Sequence, residues 1–166
     1  MIIVTGANGK LGRAIVEDLL DLVPADQIGV SVQDPEKARS LEQRGVRVRR
    51  GDFDDAASLA HAFEGASQVL IVSVATTGEQ ALRQHGTAID MAKGAGAQRI
   101  LYTSHMGSNP TSVMSDHAAT EGALRESGVP FTSLRNGFYA SSGVMFLGNA
   151  VQTGELVAPE DGPVAW

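Results

Sequence analysis

The stretch that most restricts the fold is Met1-Ile2-Ile3-Val4-Thr5-Gly6-Ala7-Asn8-Gly9-Lys10-Leu11-Gly12-Arg13-Ala14-Ile15-Val16. An apolar, β-branched run leads directly into glycines at every third position and then into an amphipathic helical pattern. Each glycine answers a separate steric need. Gly6 permits the tight turn out of the strand, Gly9 lets the backbone approach a pyrophosphate, and Gly12 lets the helix lie against the sheet. The free N–H groups of the helix's first turn are the expected phosphate donors, with Ala7, Asn8, Lys10 and Leu11 completing the loop. Glycine-rich turns also occur without a ligand. Here the preceding strand, the following helix and a second strand about twenty residues further on provide the context that a dinucleotide site requires.

At 166 residues the chain reads as one domain, 1–166, large enough to bury a sizeable core. Its formal net charge of −6 argues against a nonspecific nucleic-acid surface, which needs clustered positive charge. The absence of cysteine removes disulfides, thiolate metal sites and cysteine nucleophiles together. Thr5, Gly6, Asn8 and Lys10 interrupt any secretory leader, so the default address is cytoplasmic. The longest apolar stretch, Val69 to Ala75, is too short to cross a bilayer, and no membrane association is expected.

Strand and helix patterns alternate along the whole chain. A first helix is expected from Leu11 to Val23 and a second strand from Gln27 to Val32. Asp34-Pro35 opens a helix over Glu36 to Arg44 that Gly45 stops. Further strands are expected at Val46 to Arg50, Val69 to Val72, Arg99 to Thr103 and Pro130 to Leu134. Between them lie helices at Ala56 to Glu64, with Leu59, Ala60 and Phe63 on one side, at Glu79 to Ala97, and at Val113 to Ser127 after a loop at Ser104 to Ser112. This order implies an α/β fold with a doubly wound parallel sheet, a Rossmann fold, whose ligand lies at the switch point between the first and fourth strands.

Thr5 through Gly12, Asp52-Phe53, Tyr102-Thr103-Ser104, His117-x-x-x-Glu121 and Leu134-Arg135-Asn136-Gly137-Phe138-Tyr139 occur in that order. Together they resemble the NmrA-like branch of the atypical short-chain dehydrogenases/reductases, and most closely its NAD(P)H:quinone oxidoreductase type 2 group. The resemblance covers the whole chain. It implies NADPH binding and hydride transfer to a quinone, or, as in some relatives, a redox sensor that binds the dinucleotide without turnover. It also carries the phosphate loop to Gly6 through Gly12 and the adenine contact to Asp52 and Phe53. The nicotinamide side falls on Ser73 and Val74 and on Asn136, Gly137, Phe138 and Tyr139, with Tyr139 and His85 toward a small quinone-like substrate.

Two positions depart from that pattern. The group usually has an arginine after the second strand for the 2′-phosphate, whereas this chain has Gln33, a neutral amide that brings no positive charge to a phosphate. Asp34 stands near where an acidic residue would hold the ribose of NAD, and Lys37 can compensate. NADP(H) is therefore favoured only slightly over NAD(H). The chain also ends at Pro163-Val164-Ala165-Trp166 in mid-pattern. It reads as C-terminally truncated, with the substrate-covering part largely absent and an exposed edge through which a homo-oligomer can form.

A conventional short-chain dehydrogenase uses Tyr-x-x-x-Lys, but four residues beyond Tyr102 and Tyr139 stand Met106 and Gly143. The corresponding helix offers His117 and Glu121 one turn apart. They read either as a proton donor with an orienting carboxylate or as a surface pair that supports its helix. His85 reads either as a pocket residue or as a partly exposed polar contact. His61 and His105 have no spaced partners, and no metal-ligand motif is present. Arg44, Arg47, Arg49 and Arg50 form a basic cluster that reads either as a nucleic-acid or phosphate contact or, since Arg47 and Arg49 alternate with Val46 and Val48, as an edge strand with one solvated face. No serine sits in a nucleophile-elbow sequence.

Overall fold

The computed structural model describes residues 1–155, apart from the side chains of Ser141, Ser142, Met145, Phe146 and Asn149. Its elements are β1 (Ile2–Thr5), α1 (Lys10–Leu20), β2 (Ile28–Val32), α2 (Arg39–Glu42), β3 (Arg47–Arg50), α3 (Ala56–Phe63) and β4 (Gln68–Ile71). They continue with α4 (Gly78–Gly94), β5 (Arg99–His105), α5 (Ser115–Ser127), β6 (Phe131–Asn136) and α6 (Ala140–Thr153). The strands form one parallel sheet in the order β3-β2-β1-β4-β5-β6. Because β1 lies between β2 and β4, the chain reverses its winding at β1, and the expected switch point is where the sequence pattern puts it.

Period-two alternation builds the two faces. Ile3, Val69, Ile71, Ile100 and Tyr102 point into one apolar cluster with Leu59, Phe63, Ile89 and Leu124 of the helices. Their neighbours Val4 and Leu70 point into the other, with Val16, Val30 and Leu41. A strand buried on both faces needs such an uninterrupted apolar run, which explains why β1 and β4 show little polar alternation.

Several expected boundaries move. The helix expected over Glu36 to Arg44 is a 3-10 turn at Pro35–Ala38 followed by one short α-helical segment, because Asp34 caps the turn and accepts from Glu36 N at 3.2 Å. In α3 the buried positions are Leu59, Ala62 and Phe63, and Ala60 is exposed. The first helix closes at Leu20 rather than Val23, and a 3-10 turn at Ala25–Gln27 precedes β2. Strand β5 runs on to His105, into the segment expected as loop. Helix α6 follows β6, a span for which the sequence suggested no element.

The arginines of β3 do lie on an edge strand. Arg47 donates to the Ala62 carbonyl at 3.0 Å, and Arg49 reaches the His61 carbonyl and Glu64. They cap the C-terminal end of α3, where the helix dipole favours positive charge. At its other end α3 is capped by Asp55, which accepts from Ser58 N at 3.1 Å. Asp55→Ala should therefore destabilise the protein by about 1 kcal/mol in urea unfolding, the usual cost of a lost side-chain cap.

The described chain divides into a compact unit, Met1–Arg135, and a second that begins at Asn136. Among the described residues no helix is long and apolar enough to cross a membrane.

Candidate functional site

The turn between β1 and α1 is closed by its own backbone. Gly6 has φ +65°, donates to Ser31 O at 3.0 Å, and accepts from Gly9 N at 2.9 Å. A Cβ on Gly12 would lie 2.5 Å from the Gly6 carbonyl oxygen, and one on Gly9 would lie 3.3 Å from the same atom. A side chain at Gly12 thus meets main chain more closely than one at Gly9, at a distance that no rotamer change relieves. No side chain caps α1 at Gly9, nor α4, α5 or α6, whereas Asp34 caps the turn at Pro35–Ala38 and Asp55 caps α3. The first-turn N–H groups of Lys10, Leu11 and Gly12 therefore remain available to an anion, and this loop fits a dinucleotide pyrophosphate.

Around it, the Asn8 side chain donates to Asp34 O at 2.8 Å, tying the glycine loop to the end of β2. Gln33 and Lys37 are exposed there, and Lys37 lies 3.4 Å from the Asp34 carboxylate. Asp52 follows β3, and its backbone N–H donates to Ser58 Oγ at 2.9 Å. The Phe53 side chain packs in part against the core.

The segment after β4 is held through its amides by three different elements. Val72 N donates to Thr5 Oγ1 at 2.9 Å, Ser73 N to Thr103 Oγ1 at 2.8 Å, and Val74 N to His85 Nε2 at 3.1 Å. His85 is 3% exposed, so the partly exposed contact expected for it does not describe its place. Its Nε2 accepts from Val74, so Nδ1 carries the proton and donates to Thr120 Oγ1 at 3.0 Å. Burial, with His117 adding to it, pushes its pKa down to about 4.

His117 and Glu121 share a helix but not a task. His117 Nδ1 meets the Tyr102 hydroxyl at 2.7 Å. Glu121 instead accepts from Ser104 Oγ at 2.6 Å and from Arg135 Nε and Nη2 at 2.9 and 2.5 Å. The expected orientation of His117 by Glu121 is therefore replaced by orientation from Tyr102. Strand β6 brings a guanidinium to the carboxylate that no i,i+4 rule anticipates. Arg135 holds the Glu121 carboxyl below the usual carboxylate range, while burial and the nearby His105 push His117 down.

Asn136, Gly137, Phe138 and Tyr139 follow at the end of β6, where the Asn136 amide donates to the Tyr139 hydroxyl at 2.9 Å and the Phe138 and Tyr139 rings are exposed. Among the described residues no group of His, Asp or Glu has the arrangement of a metal site. Sequence reasoning assigned no role to Thr5, Thr103, Thr120 or Tyr102. For Thr5, Tyr102 and Thr103 a polar group in an otherwise apolar strand was the available signal, since a buried hydroxyl needs a partner.

Residues 6–154 match the NAD(P)H-binding family. The chain belongs to that family. It is 38% identical over 168 residues to quinone oxidoreductase 2 of Escherichia coli (strain K12), an alignment that covers 99% of this chain and 58% of that protein. It is 31% identical to an NmrA-like family domain-containing oxidoreductase of Aspergillus flavus, over 99% of this chain and 56% of that protein. The crystal structure of the NADPH-dependent quinone oxidoreductase of Escherichia coli in complex with NADPH superposes with a TM-score of 0.85 at 38% identity, covering 93% of this chain and 55% of that one. The chain thus spans little more than half the length of the curated relatives it matches. These likenesses support the NmrA-like resemblance and the Rossmann-type fold together.

Proposed function

We propose that the chain is the dinucleotide-binding part of an NAD(P)H-dependent reductase that delivers hydride to a quinone or a similar electrophilic carbonyl acceptor. The observation that carries this reading is the 38% identity to quinone oxidoreductase 2 across 99% of the chain. The uncapped glycine turn at the switch point supports it. When bound, the dinucleotide supplies the hydride chemistry; the residues of this chain bind, orient and respond to charge.

The N–H groups of Lys10, Leu11 and Gly12 hold the pyrophosphate, and Asp52 and Phe53 border the adenine. Gln33 and Lys37 face the adenosine ribose. NADP(H) is preferred over NAD(H) by less than about tenfold, because Gln33 is neutral and Lys37 is drawn to Asp34. Ser73 and Val74, pinned through their amides, bound the nicotinamide side. His85 acts from behind this wall by holding Val74. Negative charge that develops on the acceptor oxygen is met by the imidazole N–H of His117, and solvent then protonates that oxygen.

Calorimetric titration with NADPH and NADH, followed by benzoquinone while the absorbance of reduced nicotinamide is watched, tests this reading. Binding with turnover is expected. Both should be lost in Gly9→Val, whose Cβ would lie 3.3 Å from the Gly6 carbonyl with two further methyl groups in the phosphate path. Binding without turnover would make the chain a dinucleotide sensor instead.

A further inference from the structure

Tyr102 sits on β5 with its side chain fully buried, so its hydroxyl needs a partner within the protein. The partner is His117 Nδ1 at 2.7 Å. Burial raises the Tyr102 pKa far above the ordinary tyrosine value, and the phenol always has a proton to give. Its other polar neighbour, Thr120 Oγ1, has its own proton committed. It donates to the Asp116 carbonyl at 2.8 Å and accepts from His85 Nδ1 at 3.0 Å. Thr120 Oγ1 thus has no proton to give Tyr102, and for the proton of Tyr102 the imidazole Nδ1 at 2.7 Å is a stronger acceptor than a hydroxyl oxygen.

Both rings are held in place. His85 packs edge-on to Tyr102 with centroids 5.1 Å apart, and His105 stacks on His117 at 6.2 Å. The acids near His117 are engaged elsewhere. The Asp116 carboxylate accepts from Gly78 N at 2.6 Å, and Glu121 is taken by Ser104 and Arg135. Neither supports an imidazolium directly, so His117 is a neutral ring whose tautomer decides which nitrogen donates.

We propose that Tyr102 is a positioning residue for His117, donating to Nδ1 and fixing the Nε2–H tautomer that faces charge on the acceptor oxygen. This rests on the reading of His117 given above. It involves no proton transfer: Tyr102 keeps its proton, and the ring offers a hydrogen bond. An unlocked ring would divide its population between two tautomers, only one of which has its donor at Nε2.

The test is long-range ¹H–¹⁵N NMR of the imidazole in the 166-residue chain, with the His117 signals assigned by their loss in His117→Gln. The wild type should show the Nε2–H pattern near neutral pH. Tyr102→Phe, which keeps the ring and removes the hydroxyl, should shift His117 toward Nδ1–H. It should also lower kcat with benzoquinone by about tenfold, the effect of one neutral hydrogen bond, and leave the KM for NADPH unchanged. An Nδ1–H pattern in the wild type overturns the assignment whether or not the variant folds, as does a tautomer unaltered in Tyr102→Phe. A shifted tautomer with unchanged kcat overturns the functional half, because the acceptor-side role of His117 then fails while Tyr102 still sets the ring.

Discussion

Gly12→Ala is expected to remove dinucleotide binding and a large part of the stability. The added Cβ would lie 2.5 Å from the Gly6 carbonyl oxygen and 2.8 Å from its carbon, and neither atom belongs to a side chain that can rotate away. Helix α1 must lift off the turn, at a cost of about 1–3 kcal/mol or more for overpacking against a rigid neighbour. Lifting α1 also moves the N–H groups of Lys10 and Leu11 away from the phosphate. A misplacement on the order of 1 Å at a positioned site brings losses of about a hundredfold, and the Kd for NADPH should rise by at least that factor. Urea unfolding and titration calorimetry on the same preparation check both effects. An unchanged Kd would mean that the helix does not depend on this close approach.

The second large effect is acid sensitivity through His85. Its folded pKa of about 4 lies below the value of 6.5 that an unfolded chain shows, so between those values the unfolded state binds more protons. Stability contributed by the neutral ring is complete above pH 6.5 and is lost progressively as pH falls toward 4. Each pKa unit is worth 1.36 kcal/mol, giving a loss of about 3 kcal/mol over this range. The geometric cause is direct. Protonated Nε2 would present an N–H to the N–H of Val74, two donors face to face. His85→Gln keeps an amide acceptor and donor without a titrating proton. Its urea midpoint should therefore fall less between pH 7 and pH 4.5 than that of the wild type. His117, also shifted down, adds loss in the same direction. Glu121 contributes stability that is present above the ordinary carboxylate range and lost only below it. A wild-type midpoint independent of pH between 6.5 and 4.5 would contradict the buried neutral His85.

Much of this architecture is local in origin and so legible in the chain. Glycine spacing after a β-branched run, caps such as Asp55, and alternation in Arg47-Val48-Arg49 act within a few residues and hold in the folded protein. The pairing of His117 with Glu121 was the place where local reasoning failed. Residues one turn apart on a helix are neighbours, but a buried carboxylate takes the strongest donor within reach, and here that is Arg135 of β6. His85 was misplaced for a similar reason. A histidine in a helical pattern reads as half-exposed until the segments that cover it are known.

The order of apolar runs, glycine turns and caps determined by itself the doubly wound sheet, the switch point beside β1 and the loop suited to a dinucleotide, because each depends on backbone sterics and period. Only the tertiary structure decided which hydroxyl holds which amide, which tautomer His85 adopts, and that Tyr102 rather than Glu121 meets His117. Those partners come from strands and helices far apart in sequence, and burial, which forces each polar group to find one, exists only once the layers have closed.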